Sequence, residues 1–424
     1  MAWSAEKMKQ TPWSSPSARS CKNRRKECNF AWEQCKLGDV YGHLYSGNTP
    51  SRKNSANFGG DTPWIRTADL NNGLIKSTTE FLTYEGIKQL KILPENTIVL
   101  AMYGGFNQIG RTGILGFPAT INQALVALTP HKNINQFFAQ SYLNRHIIDW
   151  RRVAASSRKD PNITKEDVEK SEFSFGSLEE QNRISKLISR LDHTITLHEE
   201  KKQQLKRLKS ALLQKMFANK SGYPAVRFER FNDIWDQEKL SSLVRLRRGL
   251  TYSPDNVQDS GIRVLRSSNI LDGQFVTTDD DIFVKSSVVN IPTIKSGDIL
   301  ITAANGSIKL VGKHAIISRI SENTAVPGGF MLVGSSRIPD FVNSLFGTSW
   351  YQRFIRKYVT GGNGSIGNLK KNDLDKQYVM VPTTSEQEQI GEFLKKIDKL
   401  ITNNQIKHDK LLELKESLLQ NMFI

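Results

Sequence analysis

Apolar residues recur along two stretches of the chain at alternating spacings of three and four. Ile184, Leu187, Ile188, Leu191 and Ile195, continued by Leu205, Leu208, Leu212 and Met216, form one stripe with neither proline nor glycine inside it. Ile390, Phe393, Leu394, Ile397, Ile401, Leu411, Leu414, Leu418 and Met422 form the other. Such spacing brings the apolar positions onto one side of an α-helix, so two long helices are predicted. Each opens on a hydroxyl-x-x-Glu sequence, Ser177-Leu178-Glu179-Glu180 and Thr383-Thr384-Ser385-Glu386, the form of a capping box. A helix of about forty residues spans roughly 60 Å, more than a small adjoining domain can cover. The other helix offers a matching apolar stripe, and an antiparallel coiled coil is the expected pairing.

Outside these stretches the pattern changes. Short apolar runs, Thr97 to Met102, Ala124 to Leu128, Asp298 to Thr302 and His314 to Ile317, are punctuated by Gly, Asn, Asp and Pro and predict strands. Asn135 to Trp150 and Asp340 to Val359 carry apolar residues at helical spacing and predict helices packed on those strands. The fold class expected is α+β: two mixed, strand-rich domains in direct repeat, joined by two long helices.

The repeat can be read residue by residue. A shift of 206 places Glu180-Gln181 on Glu386-Gln387, Ile184 on Ile390, Asp192 on Asp398, Ile195-Thr196 on Ile401-Thr402 and Lys201 on Lys407. With no gap it then places Leu205, Leu208-Lys209, Leu212-Leu213-Gln214 and Met216-Phe217 on Leu411, Leu414-Lys415, Leu418-Leu419-Gln420 and Met422-Phe423. Weaker echoes precede these. Trp32-Glu33-Gln34 with Lys36-Leu37 recurs as Trp235-Asp236-Gln237 with Lys239-Leu240, and Ile65-Arg66-Thr67-Ala68-Asp69-Leu70 as Leu265-Arg266-Ser267-Ser268-Asn269-Ile270. Self-similarity of this kind marks a duplication. The boundaries it suggests are a poorly ordered tail over 1–29, a first domain over 30–175, a helix over 176–220, a second domain over 221–381 and a last helix over 382–424.

Composition narrows the classes. A net charge of +17 over 424 residues suggests a polyanionic partner. Apolar runs are too short for a membrane span, and no secretory signal is apparent, so no membrane association and a cytoplasmic location are expected. The three cysteines, Cys21, Cys28 and Cys35, read as incidental thiols, and with His43 they complete no familiar zinc spacing.

Two globular units and two long helices in direct repeat resemble the specificity subunit of type I restriction-modification systems. The resemblance rests on the Trp-x-x-x-Lys-Leu opening of each half, the Glu-Gln-x-x-Ile and Asp-x-x-Ile helix segments, the lead-in Pro224-x-x-Arg227-Phe228-x-x-Phe231, and the Leu-Leu-Gln-x-Met-Phe ending found twice. It covers nearly all of the chain from about Phe30. Residues 1–29 have no counterpart of Pro224 to Phe231, and Gly176 stands where the second copy has Pro382. The resemblance implies a non-catalytic protein whose globular units are target recognition domains on double-stranded DNA. It further implies two methyltransferase subunits and motor-nuclease restriction subunits as partners. S-adenosylmethionine, ATP and magnesium would be bound by those partners, with no cofactor in this chain. A stand-alone sequence-specific nucleic-acid-binding protein is the alternative.

No catalytic set emerges from the residues. Gly362-Asn363-Gly364-Ser365-Ile366-Gly367 fits G-x-G-x-x-G but follows a predicted helix, and the stretch from Gly306 misses the P-loop spacing, with His314 where Ser or Thr belongs. Base reading calls for paired donors and acceptors on loops held by a scaffold. Candidates in the first domain are Tyr103, Asn107, Gln108, Arg111, Asn122 and Gln123; those in the second are Asn305, Ser307, Lys309 and Lys313. Arg66, Arg266 and Asn269 occupy shared positions suited to phosphate contact or fold maintenance, and Arg151, Arg152, Arg158, Arg248, Lys370 and Lys371 are phosphate candidates.

Overall fold

The computed structural model describes residues 32–155, 161–219, 221–359 and 367–423, and the tail over 1–29 lies outside them. The chain divides into two compact units: one takes in residues up to Thr196 and from Asp409 onward, the other Leu197–His408.

In unit 1 the central sheet comprises β1 (Tyr45–Ser46), β2 (Leu74–Ile75), β3 (Ile98–Ala101), β4 (Thr112–Leu115) and β5 (Leu125–Leu128), in the spatial order β1-β5-β3-β4-β2. Every residue of β3, β4 and β5 is buried, so both sheet faces are covered. Alternation along the strands sorts the side chains. Ile98, Leu100, Ile114, Val126 and Leu128 enter one core, while Val99, Ala101, Leu115, Leu125 and Ala127 enter the other.

The first of these cores lies under α1 (Gln136–Arg145) and α2 (Ile147–Ala155), where a single helix over Asn135 to Trp150 was expected. The break falls at His146, whose ring packs 4.5 Å from Tyr142 and whose Nδ1 lies 2.9 Å from Asp149 Oδ2.

Unit 2 repeats the plan. β6 (Arg245–Arg248), β7 (Ile299–Thr302), β8 (His314–Ile316) and β9 (Met331–Ser335) follow the order β6-β9-β7-β8. Both units add a second sheet containing one parallel pairing, Ile65 with Ile121 and Leu265 with Pro327. A Cβ on Gly47 would lie 1.9 Å from the Ile121 carbonyl oxygen, and one on Gly249 1.9 Å from that of Gly328, so only glycine lets the two main chains approach there.

The long helices are α3 (Leu178–Lys215) and, beyond α4 (Pro339–Phe346) and α5 (Ser349–Tyr358), α6 (Thr384–Met422). Here too two helices replace the one expected over Asp340 to Val359, with Gly347 and Thr348 at the break. Ser177 Oγ accepts from the Glu180 amide at 3.2 Å, which is half of a capping box. The reciprocal half is not made, because Glu180 accepts from Trp32 Nε1 at 3.0 Å and Glu386 accepts twice from Arg227, at 2.8 and 2.7 Å. The expected capping boxes are corrected accordingly: the glutamates tie the helix starts to Trp32 and Arg227, which open the globular part of each unit. The neighbouring glutamines do an identical job in both copies, Gln181 Nε2 donating to the Gly176 carbonyl at 2.9 Å and Gln387 Nε2 to that of Pro382 at 2.7 Å.

Within unit 2 the helices run antiparallel, as shown by His198 with Asn404 (2.9 Å), Lys202 with Gln405 (2.7 Å) and Lys209 with Asp398 (2.6 Å). Within unit 1 Lys415 pairs with Asp192. The end of α6 completes the unit 1 core: Phe423 packs 5.3 Å from Phe138 and 6.0 Å from Trp32. Phe217, past the end of α3, does likewise in unit 2, 5.4 Å from Phe341 and 6.2 Å from Trp235. Cys35, expected as an incidental thiol, is disulfide-bonded.

Candidate nucleic-acid interface

Each unit ties three irregular segments to the exit of its central strand. In unit 1 the Met102 amide donates to the Ala124 carbonyl at 2.8 Å, and the Ile163 amide donates to the Met102 carbonyl at 2.9 Å. In unit 2 the Ala303 amide donates to the Phe330 carbonyl at 2.9 Å, and the Leu369 amide to the Ala303 carbonyl at 2.7 Å. The loop after the central strand, the turn before its neighbour β5 or β9 and the segment before a short helix therefore meet at one point. A fourth piece, the 3-10 turn Thr67–Asp69 or Ser267–Asn269, joins this rim: Arg111 donates to the Leu70 carbonyl, and Asn305 Nδ2 donates to Ser267 Oγ at 3.1 Å. Loops fixed by main-chain bonds to a rigid sheet suit recognition, since their side chains are placed before a ligand arrives.

Most candidates gather on these rims. In unit 1, Asn107 is exposed and its carbonyl accepts from Arg151 Nη2 at 2.9 Å, bringing α2 to the loop. Gln108 Oε1 accepts from Arg111 Nη1 at 2.6 Å. Tyr103 is half-buried, and burial raises its phenol pKa, keeping it neutral and able to donate. On the adjoining turn Asn122 Oδ1 accepts from the Ala124 amide at 3.1 Å, and exposed Gln123 accepts from the Thr49 hydroxyl. Arg152 is exposed and pairs with Asp149 at 3.0 Å. Arg158 lies outside the described residues, as do Gly362 to Ile366 and Cys21 and Cys28.

In unit 2, Ser307, Lys309, Lys313, Lys370 and Arg248 are exposed. Asn305 is half-buried, its Oδ1 accepting from the Ser307 amide at 2.9 Å. The side chains of Arg248, Lys309, Lys313 and Lys370 have no hydrogen-bond or ion-pair partner among the described residues, whereas Lys371 is held by Asp375 at 2.5 Å. Four cations without internal partners on one rim are available to phosphates.

Three candidates, whose shared positions suit phosphate contact or fold maintenance, are engaged within the fold. Asn269 is fully buried, donating to the Val276 carbonyl (3.0 Å) and Asp281 (2.7 Å) and accepting from the Arg266 amide (2.7 Å). Burial alone would raise the Asp281 pKa. Hydrogen bonds from Asn269, the Thr278 amide, Arg263 and the Thr278 hydroxyl outweigh it and hold the carboxyl below its ordinary value. Arg66 is engaged by Glu80 and by Thr79 Oγ1 (3.1 Å), and Arg266 donates to the Asp280 carbonyl (2.5 Å). Two phenylalanines on the rims are exposed: Phe106, within the Tyr103–Gln108 stretch that the sequence offers for DNA reading, and Phe330, which it does not single out. The rims thus offer donors, acceptors and apolar surface. Among the described residues no group of three or more His, Cys, Asp or Glu is placed to hold a metal ion.

The family model described as type I restriction modification DNA specificity domain matches residues 29–207 and again 211–414. The chain belongs to the type I restriction-modification specificity subunits. The MjaIX specificity subunit of Methanocaldococcus jannaschii is 20% identical to this specificity subunit, with 92% of each chain covered. The EcoKI specificity subunit of Escherichia coli strain K12 is 25% identical over 82% of this chain and 78% of its own. The fold is shared with the solved S subunit from M. genitalium, at a TM-score of 0.60 and 13% identity over 95% of this chain and 98% of that one. A chain from a study of complex assembly in a type I system matches at 0.54 and 15% over 93% and 97%. As a specificity subunit the chain recognises DNA and is not itself the catalyst. Among the described residues no helix is long and apolar enough to cross a membrane.

Proposed function

We propose that this specificity subunit reads a two-part target in duplex DNA, unit 1 taking one half-site and unit 2 the other, and that two methyltransferase subunits dock on it to methylate adenine. Motor-nuclease subunits joining the same complex cleave unmodified sites. S-adenosylmethionine, ATP and magnesium are carried by those partners, and the complex works in the cytoplasm.

The observation that carries this reading is the rim built twice on one main-chain plan but fitted with different side chains: Asn107, Gln108 and Arg111 in one unit, Ser307, Lys309 and Lys313 in the other. One scaffold with two side-chain sets suits two unlike sequences, since base edges are told apart by donor, acceptor and apolar pattern. Methylome sequencing of a strain making the chain with its methyltransferase subunits tests this. The expected result is a single motif of two defined parts around an unread spacer. A continuous motif, or S-adenosylmethionine binding by the isolated chain in calorimetry, counts against it.

A further inference from the structure

Phe106 is 47% exposed and Phe330 64% exposed, each on the rim of its own unit. Isolated exposed apolar residues are ordinary; these two stand out by their surroundings. Each follows a glycine pair, Gly104-Gly105 and Gly328-Gly329. The main chain at each ring is held. The Phe330 carbonyl accepts from both the Ala303 and Ala304 amides, at 2.9 and 3.0 Å, while the turn beginning at the Gly105 carbonyl is closed by the Gln108 amide at 2.9 Å.

The two rings reach the rim from different segments. By the main-chain bonds that define the rim, Phe330 corresponds to Ala124, which is buried, while the turn opening at the Gly105 carbonyl matches the one opening at Ser307, so that Phe106 corresponds to Ile308, itself 42% exposed. Each rim therefore carries one projecting phenylalanine, supplied by the loop in unit 1 and by the turn in unit 2. The same rim carries Arg248, which pairs with Leu332 two residues after Phe330, and Lys309, Lys313 and Lys370 on the segments tied at Ala303.

We infer that Phe106 and Phe330 are base-contacting residues, each resting on the C5-methyl group of a thymine in the major groove of its own half-site. The inference deepens the proposed function and rests on it. On rims whose exposed cations are available to phosphates, an exposed ring is placed to meet base edges, and the apolar feature displayed there is the thymine methyl.

The test uses the assembled complex with its methyltransferase subunits. Methylome sequencing first gives the wild-type motif. Phe330→Ala is expected to relax one A·T position in the half-site read by unit 2, lowering discrimination there on the order of ten-fold, as for one mismatched pair, and to leave the other half-site unchanged. Phe106→Ala should do the converse. Uracil in place of that thymine should weaken wild-type binding and leave the alanine variant unaffected.

An unchanged motif in both variants overturns the inference, as does indifference of the wild type to uracil, which would point to wedging between base steps. Failure of a folded variant to co-purify with the methyltransferase subunits also overturns it, by assigning the rings to a protein partner. A wild-type complex with no two-part motif removes the proposed function itself, a failure distinguishable from the others because it appears before any variant is made.

Discussion

Lys415 Nζ lies 2.5 Å from Asp192 Oδ1, and the repeat makes the same pair again with the helices exchanged, Lys209 Nζ lying 2.6 Å from Asp398 Oδ1. A lysine late in one long helix thus meets an aspartate early in the other within each unit. Both pairs are partly exposed, so each contributes modestly, about 0.5–1 kcal/mol. Lys415→Glu should lower the unfolding midpoint by an amount corresponding to about 1 kcal/mol, and adding Asp192→Lys should recover most of it. Thermal unfolding of the two variants checks this, and failure of the double exchange to recover stability would show that the pair is not coupled.

Arg227 and Glu386 form a costlier pair to disturb. The Glu386 side chain is fully buried and receives two hydrogen bonds from the guanidinium, whose pKa is raised chiefly by that bonding. Removing one member leaves a buried charge unmatched, which costs about 3–5 kcal/mol. Arg227→Ala should therefore destabilise the protein several times more than Lys415→Glu in urea unfolding.

His314 gives unit 2 a definite acid response. Burial lowers its pKa to about 4, with Lys209 adding to the effect, and Nδ1 donates to Asn343 Oδ1 at 2.8 Å. An unfolded imidazole titrates near 6.5. Between those values the unfolded chain holds a proton that the folded chain does not, so acid favours unfolding. The contribution is whole above pH 6.5 and is lost as the pH falls towards 4, by up to about 3 kcal/mol. In urea titrations at pH 7 and pH 4.5, His314→Gln should lose less stability on acidification than the wild type.

Replacing residues 45–165 with the equivalent stretch of a related specificity subunit should change one half of the methylated motif and leave the other half unaltered. The exchanged stretch contains the whole unit 1 rim, from the 3-10 turn at Thr67 to Ile163. Sequencing the methylated sites reads both halves together, and alteration of both would contradict independent reading.

Much of this architecture was legible in the chain because periodicity reports what packing requires. The stripes at Ile184 and Ile390 give both long helices, and the apolar runs at Ile98 and Ile299 give the central strands. Breaks were less legible: His146 and Thr348 stop helices through local side-chain bonds that leave the apolar spacing intact. Glu180 and Glu386 matched a local motif, but tertiary partners claimed their carboxylates. At the rim, Arg66 and Asn269 stand between phosphate contact and fold maintenance in the sequence, which does not show that Glu80 and Asp281 already hold them. Phe330 escaped notice for the opposite reason, since a phenylalanine beside a strand reads as core until its exposure is known.

The place of Phe423 bears on the order in which the protein can be completed during synthesis. Domains generally fold as units as they leave the ribosome, the N-terminal one first. Unit 1 departs from that order, because Trp32, Phe138 and Tyr142 close around a phenylalanine translated after the whole of unit 2, with Tyr142 5.6 Å from it. Unit 2 has its own counterpart, Phe217, in hand long before. The domain that emerges first is therefore the last to be finished, and a premature stop after His408 would deprive the early domain of part of its core while sparing every residue of the later one.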